Sequence, residues 1–191
     1  LYTMALAAEK SHVLFSAVDS LLVAYCAREK KDMQNANAFF RVLQKAVLSH
    51  GAGADEMVNR VELVAERLWT AAERFGGDGP EFCGVLNLAL RTDDPALVGA
   101  AAPVCRTLNA LLIARRAGDG DVTFPAGGVL YRGCVVPDEH LRFYESPGKM
   151  LAVPGYLATA FKEEKAQEFA QRAWRFHQQV TKTKWPAVMF K

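Results

Sequence analysis

Apolar residues recur every three or four positions through the first part of the chain, then give way to short β-rich runs broken by glycine and proline. Leu14, Val18, Leu21 and Tyr25 form one stripe at helical spacing. Phe39, Leu43, Ala46 and Val47 form a second, and Met57, Val61, Val64, Leu68, Ala72 and Phe75 a third. "GAGAD" at 51–55 separates the second helix from the third, with Asp55 as a candidate cap. "GGDGP" at 76–80 is a stop and turn signal. Beyond it, Phe82, Val85, Leu86, Leu88, Ala89 and Leu90 predict a helix ending near Thr92. "DDPA" at 93–96 opens a short helix, since Pro95 in the first turn lacks only an N–H that would have no helical partner. Pro103 then starts a longer helix carrying Val104, Leu108, Leu111 and Leu112, which "AGDGD" at 117–121 ends.

From Val122 the pattern changes. Short strands are expected at Val129–Tyr131, Val135–Val136, Tyr156–Phe161 and Ala187–Phe190. One helix is expected from Glu163 to about Gln178, carrying Ala166, Phe169, Ala170 and Ala173. Residues 1–117 are therefore predicted to be almost wholly helical, and residues 122–191 to hold a sheet with one helix after Phe161. The fold class is α+β. The turn at 76–80 suggests a boundary there, giving a helical segment 1–78 without an assigned role and a second domain 79–191.

Composition narrows the function classes. A chain of 191 residues with 51% hydrophobic and 23% charged residues can bury a real core. A net charge of +2 gives no global reason to expect nucleic acid or an anionic membrane as partner. The densest basic cluster, "REKK" at 28–31, reads as a solvated helix end. No apolar run is read as approaching the roughly 20 residues of a membrane span. The longest candidate, Val13 to Cys26, is interrupted by Ser16, Asp19 and Ser20 and lacks a signal-peptide cleavage site. Cys26, Cys83, Cys105 and Cys134 are widely spaced, as are His12, His50, His140 and His177, so neither a disulfide framework nor a metal site is indicated. Free thiols favour an intracellular setting. The chain opens on Leu1 and closes on "PAVMFK", which suggests a piece of a larger polypeptide. A sheet cut short in this way would leave the strand near 187–190 without a partner.

The stretch "VLYRGCVVP", 129–137, sets Arg132 inside a strand-forming run. A charge there is costly unless paired, so one reading is a structural salt bridge. A second stretch, "GYLATAFKEEKAQEFA" at 155–170, reads as strand, tight turn and helix. The order "LNLALR", a second helix, "LYRG", then "YLATAF" feeding "AQEFA" resembles the mono-ADP-ribosyltransferase family, in the branch with an Arg, Ser-Thr-Ser, Glu signature. The resemblance covers about residues 80–191; residues 1–75 add no motif to it.

That resemblance implies part of a split β-sheet core that binds NAD as a substrate and moves ADP-ribose onto a protein side chain, releasing nicotinamide. Arg132 would anchor the diphosphate or ribose, as a guanidinium fork pairs with phosphate oxygens by two parallel bonds. Gly133 would meet the carboxamide of nicotinamide through its backbone, where a Cβ would crowd the ligand. Ala158, Thr159 and Ala160 occupy the Ser-Thr-Ser positions, and Phe161 would lie near the nicotinamide or in the core. Ala158 departs from the family, because it has no hydrogen-bonding side-chain atom. The family's catalytic glutamate lies on a later strand, and no residue of this chain is assigned to it. Glu163 and Glu164 are read as helix-start residues favoured by the dipole, and Glu168 as solvent-exposed. The chain as given is therefore expected to be inactive by itself, and neither the acceptor protein nor any metal follows from it. Two other readings stand beside the enzyme: a non-catalytic binding module of the same fold, which Ala158 favours, and a helical interaction domain in residues 1–75 with its own partner.

Overall fold

The computed structural model describes residues 2–49, 61–117, 128–145 and 155–191. The chain divides into two compact units, Leu1–Val122 and Thr123–Lys191, the first helical and the second mixed. The α+β class read from the sequence holds. The "GAGAD" break, the Asp55 cap and most of "AGDGD" lie outside the described residues.

The first unit contains α1 (Tyr2–Glu29), α2 (Met33–Ser49), α3 (Val61–Thr70), α4 (Phe82–Thr92) and α5 (Pro95–Ala117). Helix α1 is the common partner and packs on each of the other four. Its predicted stripe, Leu14, Val18, Leu21 and Tyr25, is buried, joined by Leu22 and Cys26. Phe39, Leu43 and Val47 of α2, Val64 and Leu68 of α3, and Phe82, Val85, Leu86 and Ala89 of α4 complete the core. Each fully buried leucine, valine or phenylalanine stabilises the fold by about 1.5–3 kcal/mol relative to leaving it in water.

Two helix boundaries and the division into units differ from expectation. Helix α3 stops at Thr70, although the stripe runs on to Ala72 and Phe75. Phe75 is buried all the same, its ring centroid 5.3 Å from Tyr25 and 5.6 Å from Phe39, because the turn after the helix delivers it to the core. The turn at 76–80 folds the chain back on itself. Phe75 N–H donates to the Pro80 carbonyl (3.0 Å), Gly79 N–H donates to the Phe75 carbonyl (2.8 Å), and Arg74 bridges Glu81. It is thus a turn within the helical unit, and the expected boundary at residues 78 and 79 is replaced by one at Val122 and Thr123.

Pro103 does not begin a helix; it lies inside α5. A proline interior to a helix forfeits one backbone bond. Here Leu97, Ala101, Val104 and Leu108 are all buried along one face, and that burial carries the helix through. "DDPA" does act as read: Asp93 is left-handed (φ 50°) after α4, and the Asp94 carboxylate accepts from Ala96 N–H (3.0 Å) to cap α5. Continuity through Pro103 also overturns the reading that no apolar run is span-sized. Pro95–Ile113 is long and apolar enough to cross a membrane by length and composition, with mean hydropathy 1.6, and it packs on α1, α3 and α4.

The second unit contains β1 (Arg132–Val135), α6 (Asp138–Tyr144), α7 (Glu163–Phe176), a π-helical turn (His177–Thr181) and β2 (Ala187–Phe190). Helix α6 was not anticipated; Pro137 followed by Asp138 and Glu139 in its first turn is a start signal hidden in a short segment. β1 is centred on "RGCV" rather than its flanks, and the 156–161 run contributes only a bridge at Ala160. The strand at 187–190 is present and, contrary to expectation, paired. It runs antiparallel to β1 with Arg132 opposite Phe190 and Cys134 opposite Val188.

Tyr131 and Ala160 exchange both backbone bonds at 2.8 Å, while Val136 N–H donates to the Pro186 carbonyl at 3.3 Å. Backbone groups alternate sides along a strand, so the Ala160 segment and β2 flank β1 on opposite edges. β1 is the central strand. Helix α7 covers one face of it at Gly133, where an added Cβ would collide with the Ala166 carbonyl oxygen and lie 2.8 Å from Ala170 N. Ala166 and Ala170, one turn apart and both buried, present the small surface this approach needs. In the first turn of α7, Glu163 accepts from Gln167 (3.3 Å); further along, Lys165 pairs with the exposed Glu168 (2.8 Å), which holds that carboxyl below its usual range.

The π-helical turn ends at Lys182, in the left-handed region (φ 57°). His177 Nδ1 lies 2.9 Å from Thr183 Oγ1 and 3.1 Å from Thr181 Oγ1, and its ring is 4.8 Å from that of Trp185. Burial holds the His177 imidazole below its usual 6.5. Charging it in the fold is therefore disfavoured relative to the unfolded chain.

Two outcomes follow. Gly133→Ala should lower stability by about 1–3 kcal/mol, the scale of an overpacked contact, read by denaturant titration. The unfolded chain binds the His177 proton more readily than the fold does, so this contribution is present above pH 6.5 and is lost as pH falls below it. Melting temperatures across that range should fall less steeply for His177→Gln than for the parent chain.

Candidate functional site

Arg132 stands at the first position of the central strand, on the face opposite α7, because side chains alternate and Gly133 faces the helix. Its Nη1 donates to the Ala158 carbonyl at 2.8 Å. Among the described residues it has no carboxylate partner, so the salt-bridge reading finds no acid to supply it. One of five guanidinium N–H donors is used in that bond, and among the described residues no second acceptor meets the others.

Thr159 and Phe161 flank Ala160, whose side chain shares a face with Tyr131 and Gly133. Thr159 and Phe161 thus adjoin the bridge that joins their segment to β1 next to Arg132. Both are exposed, Phe161 at 60%. Arg132 and the 158–161 segment are thus neighbours, joined by the Ala158 carbonyl and the Tyr131–Ala160 bridge. Ala158 contributes its carbonyl to Arg132, and its methyl offers nothing to hydrogen-bond.

Gly133 needs another reason than the one read from sequence. The room a side chain would occupy is taken by the backbone of α7, so helix packing by itself requires the glycine. Its backbone remains part of the central strand beside Arg132.

Sequence reasoning missed two aromatic residues on the Arg132 face. Phe190 lies directly opposite Arg132 across the ladder, and Tyr144 packs on Phe190 with ring centroids 4.8 Å apart. The alternation of "AVMF" carries a signal for the first, once the register with β1 is known. The second depends on α6, which the pattern did not reveal. The arrangement is a guanidinium bonded to the Ala158 carbonyl, with the Phe190 and Tyr144 ring pair across the ladder from it.

Other chemistry is sparse. Cys83 is pushed up to about 11 by burial and by Glu81, and burial also raises Cys26, so neither is a thiolate near neutral pH. No group of three or more His, Cys, Asp or Glu that could hold a metal occurs among the described residues. A cleft of about 350 Å³ in the helical unit is lined by Ala46, Arg67, Thr70, Ala71 and Glu73, but Arg67 is already engaged with the Val47 carbonyl (3.0 Å). No protein-family model, curated protein or solved structure matches the chain.

Proposed function

We propose that this chain is the NAD-binding part of an ADP-ribosyltransferase-like protein, one that transfers ADP-ribose from NAD to a protein side chain. The observation that carries the proposal is the Arg132 guanidinium, unpaired with any acid among the described residues and held beside the segment that carries the exposed Thr159 and Phe161. A diphosphate satisfies such a group by charge-assisted bonds, and an aromatic surface beside it suits a base or nicotinamide ring.

In the transfer, the bond between nicotinamide nitrogen and ribose C1′ breaks and nicotinamide leaves with the electron pair. The developing cation at C1′ resembles that of glycoside hydrolysis. The acceptor nucleophile bonds to C1′ and gives up its proton. Arg132 holds the diphosphate while the charge moves, and a carboxylate near the ribose would stabilise the cation. Glu163 and Glu164 do not take that part; they belong to the first turn of α7. No residue of the chain is assigned the carboxylate role.

Ala158 favours a second reading, an NAD-binding module without catalysis, because the hydroxyl expected at that position is missing. The two readings share the Arg132 site and differ in turnover. Release of nicotinamide from NAD in the presence of acceptor protein supports the transferase; saturable binding without release supports the module.

Arg132→Ala should weaken NAD binding by about 1.5–3 kcal/mol, the scale of a hydrogen bond to a charged group, with little change in melting temperature. Arg132→Lys should recover little, since an ammonium does not reproduce the fork. Calorimetric titration with NAD reads both. Equal binding by the parent chain and Arg132→Ala would reject the site.

A further inference from the structure

Among the described residues no strand pairs with the outer edge of β2, and that edge lies in the most one-signed stretch of the chain. Val188 and Phe190 point their backbone groups at β1, so Ala187 and Met189 point theirs away. Among the described residues, neither outward N–H has a backbone partner. Between Phe169 and Lys191 the sequence holds Arg172, Arg175, Lys182, Lys184 and Lys191 and no Asp or Glu. All five side chains are exposed, and none forms a salt bridge among the described residues. Lys184 and Lys191 bracket the strand, and Lys182 projects from the turn before it. Met189 is itself exposed, so the open edge offers apolar as well as polar contact.

We infer that this edge receives an extended acidic peptide as an additional strand. Main-chain bonds to Ala187 and Met189 would hold it, and carboxylates at its ends would meet Lys184 and Lys191. The charges select this occupant over a second copy of the chain. Antiparallel self-pairing of β2 would set one lysine-flanked strand against another, and like charges placed opposite each other are destabilising. The inference does not rest on NAD binding, and its test uses no nucleotide.

The probe is an acetylated, amidated peptide alternating glutamate with valine. Calorimetry should show saturable binding that weakens with salt. Hydrogen exchange in the parent chain should show the Ala187 and Met189 amides protected by the peptide. Met189→Pro removes an outward donor while leaving the bonds to β1, and should weaken binding by about tenfold, as should Lys184→Glu combined with Lys191→Glu. A peptide of equal charge with proline at its centre should bind about tenfold more weakly. Equal binding of the proline peptide, or no protection of the two amides, overturns the inference. So does tighter binding of a deoxythymidine oligonucleotide that Met189→Pro leaves unchanged, which would mark a polyanion surface. A dimer that forms without peptide and is lost in Met189→Pro would assign the edge to a second copy instead.

Discussion

The mixed unit depends on the approach of α7 to Gly133. A helix lies about 10 Å from a sheet when ordinary side chains separate them. At Gly133 the backbone of α7 takes the place of a Cβ, and the alanines at 166 and 170 keep the contact small. That approach fixes which face of β1 is covered. Since side chains alternate, it also sets Arg132 on the opposite face, with Phe190 across the ladder. The candidate site is thus a consequence of packing on the other side of the strand. A bulkier residue at 133 would disturb the site without touching any group in it.

The two units differ in how they are held. In the helical unit α1 is shared by four neighbours, and its buried stripe meets at Tyr25 the Phe75 ring, which in turn meets Phe39. In the mixed unit the buried apolar residues among those described are Val136, Ala166 and Ala170, while Leu157, Phe161, Phe169, Trp174 and Met189 are exposed. Backbone pairing and local polar closures such as the His177, Thr181 and Thr183 cluster also hold this unit. Thin cores and open apolar positions go with surfaces that bind other molecules.

The helical stripes were legible because a period near 3.6 survives any neighbour that covers it. Val18, Leu21, Leu43, Leu68 and Phe82 could be assigned to the core from spacing alone. Helix ends were less legible. Thr70 ends α3 before its stripe runs out, and Pro103 is carried inside α5 by burial, both decided by tertiary packing rather than by local preference. At the candidate site, Arg132 stood out as a charge in a strand, and Thr159 and Phe161 as members of a second strand-like run. Phe190 and Tyr144 did not, because only the β1–β2 register brings them to that face.

What the sequence determined by itself is periodic or punctuating: the amphipathic helices, the cap at Asp94, the turn at 76–80, the strand at 187–190 and the unusual position of Arg132. What only the tertiary structure decided is pairing. It joined the helices after residue 81 to those before it, gave β2 a partner in β1, and turned Arg132 away from α7 and onto the Ala158 carbonyl. The reason is physical. Propensity and period act within a few residues, whereas register, face and partner are set by contacts between segments far apart in the chain, and a shift of one residue would exchange the two faces of a strand.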